Sequence, residues 1–183
     1  MKQIFILIFA GLCACTLSLS GQELERLEIL NDNAFEQVFS FWNANGKAAK
    51  VRKVPGGRSA FCMRMTRGEA AKGTGAVFSR CLIPVDREKD TLKMSLYVKG
   101  KGFFRLGGYL YDAKGRYTGI VMGELIPVNS KEWVKKDFVF KGSSFRSKKG
   151  TFMRVVIDVP GESDLYFDDF SGVKESVLEL KPQ

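Results

Sequence analysis

Hydrophobic and polar residues alternate with a period of two through most of this chain, the mark of β-strands with one face on a core. From Ala60 to Thr66, Phe61, Met63 and Met65 share a face. From Thr91 to Lys99, Leu92, Met94, Leu96 and Val98 face one way and Lys93, Ser95, Tyr97 and Lys99 the other. From Phe103 to Tyr111, Phe104, Leu106 and Leu110 turn to a core, with Arg105, Tyr109 and Tyr111 opposite. Phe138 and Phe140 alternate within Lys136 to Lys141. Met153, Val155, Ile157 and Val159 do so from Phe152 onward, with Arg154 and Asp158 on the reverse. Pro55-Gly56-Gly57, Asp112-Ala113-Lys114-Gly115 and Pro160-Gly161 are turn signals between these runs. Helical spacing occurs only at Glu23 to Leu30, where a short helix is expected. No linker, low-complexity tract or internal repeat interrupts the pattern. It predicts an all-β chain: two antiparallel sheets packed as a β-sandwich, in a jelly roll.

One stretch resists this reading. Ser163 to Gly172, SDLYFDDFSG, alternates Leu165, Phe167 and Asp169 with Tyr166, Asp168 and Phe170. Two adjacent carboxylates gain a strand nothing, and Asp is depleted in strands. The plain account is that Asp168 and Asp169 accept hydrogen bonds from turn amides or pair with lysines.

The 183 residues, 45% hydrophobic with 15 Phe, suffice for one domain with a real core. Lys2, the apolar run Ile4 to Leu12 and the small residues Ser18-Leu19-Ser20 read as a secretion signal over residues 1–20, leaving 21–183 as a single β-sandwich domain. The apolar run is far below the roughly 20 residues that cross a bilayer, and no other transmembrane segment is expected. Leu12-Cys13-Ala14-Cys15 also resembles a lipobox with Cys15 as the lipidated residue, so a cell-surface lipoprotein is the alternative to a secreted or periplasmic protein. In an oxidising compartment Cys62 and Cys81 can be a disulfide or two separate thiols. The net charge is +9, with basic clusters at Lys47 to Arg58, Lys131 to Lys136 and Lys141 to Lys149. Solvated loops and edge-strand lysines explain this, and attraction to a uronate-bearing polysaccharide is the sharper account. No nucleic-acid motif is present, and nucleic acid is not an expected partner.

The order of landmarks carries a resemblance. NDNAFEQ with Phe35-Glu36 is followed by Trp42, then GGRSAFCMRM, TLKMSLYVKG, SKEWVKKDFVF and the terminal SDLYFDDFSG. Together, from Asn31 to about Val173, these resemble the carbohydrate-binding modules of families 4, 9 and 22, within the galactose-binding-like jelly-roll group. The resemblance implies a structural calcium near one end of the sandwich, held by Glu36 and Asp168, or Asp169 in its place, and joining the first and last strands. It also implies that a polysaccharide or oligosaccharide is bound.

Sugar sites need aromatic faces for pyranose rings and a few polar groups for hydroxyls. The candidates are Tyr97, Tyr109 and Tyr111 opposite the apolar stripes, Arg105, Arg154 and Asp158 among them, and Trp42 at a rim. Trp133 is expected in the core. The absence of His removes Ser-His triads and the commonest general base, and no inward pair of carboxylates suggests a glycosidase, so a non-enzyme is expected. A separate carbohydrate-active enzyme is then a candidate partner. The alternative is a structural or adhesive surface protein that keeps the fold without a sugar site.

Overall fold

The computed structural model describes residues 23–30, 42–73, 75–145 and 152–178. The secretion signal, Cys15 and Glu36 lie outside the described residues. The strands are β1 (Glu23–Leu30), β2 (Trp42–Asn45), β3 (Ala49–Pro55), β4 (Phe61–Arg67), β5 (Ala76–Ser79), β6 (Ile83–Pro84), β7 (Asp90–Tyr111), β8 (Tyr117–Met122), β9 (Ile126–Lys141), β10 (Phe152–Asp158) and β11 (Ser163–Leu178). All pairings are antiparallel.

Two sheets share one strand. In the first, β3, β4 and β11 lead to the first half of β7, with β1 beside β11 and β9 beside β7. In the second, β2, β5 and β10 lead to the second half of β7, with β6 beside β10 and β8 beside β7. The two period-two runs around residue 100 are therefore one strand of 22 residues. It switches sheets at Gly100-Lys101-Gly102, where φ is +117° and +143° at the two glycines. Leu92, Met94, Leu96 and Val98 before the switch, and Phe104, Leu106 and Leu110 after it, all point into the same core. Met63, Met65, Leu165 and Phe167 of the first sheet meet Val77, Met153, Val155 and Ile157 of the second there. The Phe104 ring meets the Phe167 ring edge to face at 5.3 Å.

The helix expected at Glu23 to Leu30 is a strand instead. Glu23 pairs with Leu178 and Leu30 with Gly172 along the last strand. Leu24 and Leu27, 37% and 41% exposed, bury too little to favour a helix over that ladder of backbone hydrogen bonds. Trp133 is not a core residue: it is half-buried and the Lys99 ammonium lies 4.5 Å from its ring. Cys62 is buried and Cys81 exposed, and both are free thiols. Burial foremost, with the Asp168 carboxylate nearby, pushes the Cys62 thiol up.

A side chain at Gly100 would run into the backbone of Asp164, and its φ is unfavourable for any other residue. Gly100→Ala is expected to cost about 2–3 kcal/mol or more. Gly161→Ala, where a Cβ meets nothing within 4 Å, should be near neutral. Thermal unfolding of the two variants checks this, and equal melting temperatures would contradict the role given to the switch.

Candidate functional site

The adjacent aspartates act through a β-bulge. Register between β11 and β7 shifts between Asp168 and Ser171, and Asp169 has φ +44°. Strict alternation would aim Asp169 at the core and Phe170 at solvent. The left-handed residue, a conformation Asp tolerates, reverses both. Phe170 becomes 1% exposed and meets Trp42 edge to face at 5.4 Å. Asp169 turns outward to the Arg58 Nε at 2.6 Å.

Asp168 is 0% exposed. Its carboxylate accepts from the Arg58 backbone N–H at 2.5 Å and the Asp169 N–H at 2.9 Å. The pair thus ties the Gly56-to-Ala60 turn down onto β11, and the Arg58 guanidinium lies 3.5 Å from the centre of the Tyr97 ring. As for calcium, Asp168 spends hydrogen-bonding capacity on amides and Asp169 on a guanidinium. Among the described residues no group of three or more His, Cys, Asp or Glu is placed to hold a metal. The described residues alone therefore do not fit calcium, and Glu36 lies outside them.

The candidate sugar-face residues divide into two sets. Arg105, Tyr109, Tyr111, Arg154 and Asp158 come together on the outer face of the second sheet. Strand register places Arg154 opposite Tyr109 and Asp158 opposite Arg105. Tyr97 does not join them. It belongs to the first half of β7, on the other side of the sandwich, under the Arg58 guanidinium. Trp42 does not join them either: at 5% exposure its ring is part of the core and cannot stack on a ligand. Both corrections have one cause, since alternation within a strand says which residues share a side but not which sheet the strand is in.

Three residues outside the candidate set drawn from the sequence complete this face. Phe78 of β5 lies across from Asn43 and Val156, with its ring 6.2 Å from that of Tyr109. Tyr117 of β8 is 59% exposed, with its ring 6.0 Å from Tyr109 and 6.2 Å from Tyr111. Asn45 of β2 donates from Nδ2 to the Tyr109 hydroxyl at 2.9 Å. Phe78 and Asn45 sit in strands of only four residues, too short for a periodic signal, and Tyr117 follows a turn.

The polar groups of the face are already ordered. Arg105 grips Asp158 through Nε at 2.8 Å and Nη2 at 2.7 Å. Burial foremost, with Asp158 adding and the Asn45 bond opposing, pushes the Tyr109 phenol up, so it stays protonated through the neutral range. A groove of about 290 Å³ runs past Arg67, Arg105, Tyr109, Ile120, Met122, Val156 and Asp158. Rings beside a groove with fixed donors and acceptors can take a sugar chain: rings for the apolar faces, the Arg105–Asp158 pair and Asn45 for hydroxyls.

Comparison with solved structures bears on the fold. A family 22 carbohydrate-binding module joined to a xylanase module from Clostridium thermocellum, complexed with xylohexaose, matches with TM-score 0.62 and 20% identity over 85% of this chain. This chain spans only 30% of that one. The xylan-binding family 22 module of a Paenibacillus barcinonensis xylanase matches with TM-score 0.58 and 15% identity, over 84% of this chain and 96% of that one. The family 11 module of Clostridium thermocellum, in complex with a β-1,3-1,4-mixed-linked tetrasaccharide, matches with TM-score 0.57 and 20% identity, over 85% and 98%.

This chain has the jelly-roll fold of carbohydrate-binding modules. No protein-family model and no curated sequence matches it. The likeness is therefore one of fold, and the side chains of the face are this chain's own. Among the described residues no helix is long and apolar enough to cross a membrane.

Asp168→Asn tests the clamp. An amide supplies one acceptor where the carboxylate has two, and presents N–H to N–H at the other position. Stability is expected to fall by about 1–3 kcal/mol in chemical denaturation. Unchanged stability would show that the turn is held by something other than Asp168.

Proposed function

We propose that this protein binds carbohydrate without catalysis, through the outer face of the second sheet. The observation that carries this is the convergence of Phe78, Tyr109, Tyr111 and Tyr117 with the ordered Arg105–Asp158 pair beside one open groove. The fold supports it, since several proteins that share it are sugar-binding modules. Asp158 is the sole acid at the outward positions of β2, β5, β10, β8 and the second half of β7, and it is held by Arg105. Among the described residues, hydrolysis by paired carboxylates has no second partner at these positions. In this reading the protein is exported by residues 1–20 and meets its glycan outside the cytoplasm, alone or beside a separate carbohydrate-active enzyme.

Calcium is a separate proposal that rests on Glu36 together with Asp168 or Asp169. Calorimetry on chelator-treated protein tests it: heat on adding calcium supports the ion, and none removes it.

An affinity-gel and calorimetric screen against β-linked polysaccharides tests the main reading. Binding is expected to one class of chain, weakened at least about tenfold in Tyr117→Ala and in Tyr109→Ala, roughly the loss of one stacking contact. Tyr117 is the cleaner site because its exposed ring contributes less to folding. A folded protein that binds no glycan would leave a structural or adhesive sandwich.

A further inference from the structure

Arg105 and Arg154 both lie on the face, Arg154 opposite Tyr109 and four ladder positions from Arg105, and differ in one respect. Arg105 is neutralised by Asp158. Arg154 is half-buried, with its guanidinium 5.5 Å from the Phe78 ring centre and 5.3 Å from that of Tyr111. Its Nε is buried with no hydrogen-bond partner, and among the described residues no carboxylate pairs with it. A buried donor without an acceptor is costly, and rare enough to require an explanation. The ring contacts steady the cation but accept none of its N–H groups.

Other arginines also keep their charge. Arg67, lining the groove beside Arg105 and Asp158, spends its donors on the backbone carbonyls of Val159 at 3.0 Å and Ala71 at 3.1 Å, which leave its charge in place. Arg80 donates to the Asn43 side chain at 3.0 Å, again a neutral acceptor. The one acid on these outward positions is committed to Arg105. Among the described residues the face therefore presents uncompensated positive charge, with the Arg154 guanidinium between two aromatic rings.

We infer that the sugar chain bound here carries carboxylates, as in a uronic-acid polymer, and that Arg154 recognises one of them. The inference rests on the carbohydrate-binding reading above and specifies its substrate class. A sugar carboxylate is a planar acceptor that a guanidinium can meet with two parallel hydrogen bonds, while the rings flanking Arg154 lie where the adjoining pyranose would stack. A neutral xylan or glucan offers hydroxyl acceptors but no charge to offset that of Arg154.

The test uses the full chain, a uronate-bearing polysaccharide, and the same polymer after chemical reduction of its carboxyl groups, so that only the charge changes. The acidic form is expected to bind at least tenfold more tightly, with Arg154→Gln abolishing the difference between the two polymers. Arg154→Lys, which keeps the charge without the fork, should fall between. If Arg154→Gln fails to fold, the Arg154→Lys variant and the comparison of the two polymers still decide. Equal binding of both polymers by the native protein would overturn the inference and leave carbohydrate binding standing. A preference for the acidic polymer that survives in Arg154→Gln would assign it to diffuse surface charge and overturn the role of Arg154. No binding to either polymer, or to any neutral glycan, would overturn both readings.

Discussion

Strand β7 is the constraint on which the rest depends. Its 22 residues serve two sheets, and its even-numbered apolar residues fill one core on both sides of the switch. A strand that passes from one sheet to the other while keeping the same side inward must turn its outer side to opposite faces of the sandwich. Tyr97 and Tyr109 share a parity yet lie on different faces for this reason. The turn is made at two glycines with positive φ, and the packing of Phe104 on Phe167 closes the sheets over it.

The bulge in β11 settles a second conflict. Aromatic residues on both sides of an aspartate pair cannot all reach the core by alternation. One extra residue in a left-handed conformation brings Phe170 in and sends Asp169 out. Asp168 stays buried because turn amides meet its oxygens. A buried carboxylate satisfied by backbone N–H groups holds a loop in one place, and here that loop carries Arg58 over Tyr97. The tyrosine that looked free in the sequence is thereby covered.

On the opposite face the same chemistry is left open. Tyr109 is oriented by Asn45, Arg105 by Asp158 and Arg154, among the described residues, by two rings. Groups held by their neighbours can meet a ligand without first losing much conformational freedom. Gly107, between Arg105 and Tyr109, lets β8 lie close, since a Cβ there would meet the Val121 carbonyl and Met122.

Much of this was legible in the chain. Period-two alternation with Gly, Pro and Asp breaks determined the strands and the sandwich, because burying one side of a pleated strand demands that pattern wherever the strand ends up. The same alternation placed Arg105, Tyr109, Tyr111, Arg154 and Asp158 away from the core. What alternation does not carry is which sheet a strand joins, because hydrogen-bonded neighbours come from distant parts of the chain. Tertiary structure alone separated Tyr97 from Tyr109, buried Trp42 against Phe170, and brought Phe78, Asn45 and Tyr117 to the face. It also turned Glu23 to Leu30 from a helical spacing into a strand, since the free edge of β11 offered backbone partners that local periodicity could not register.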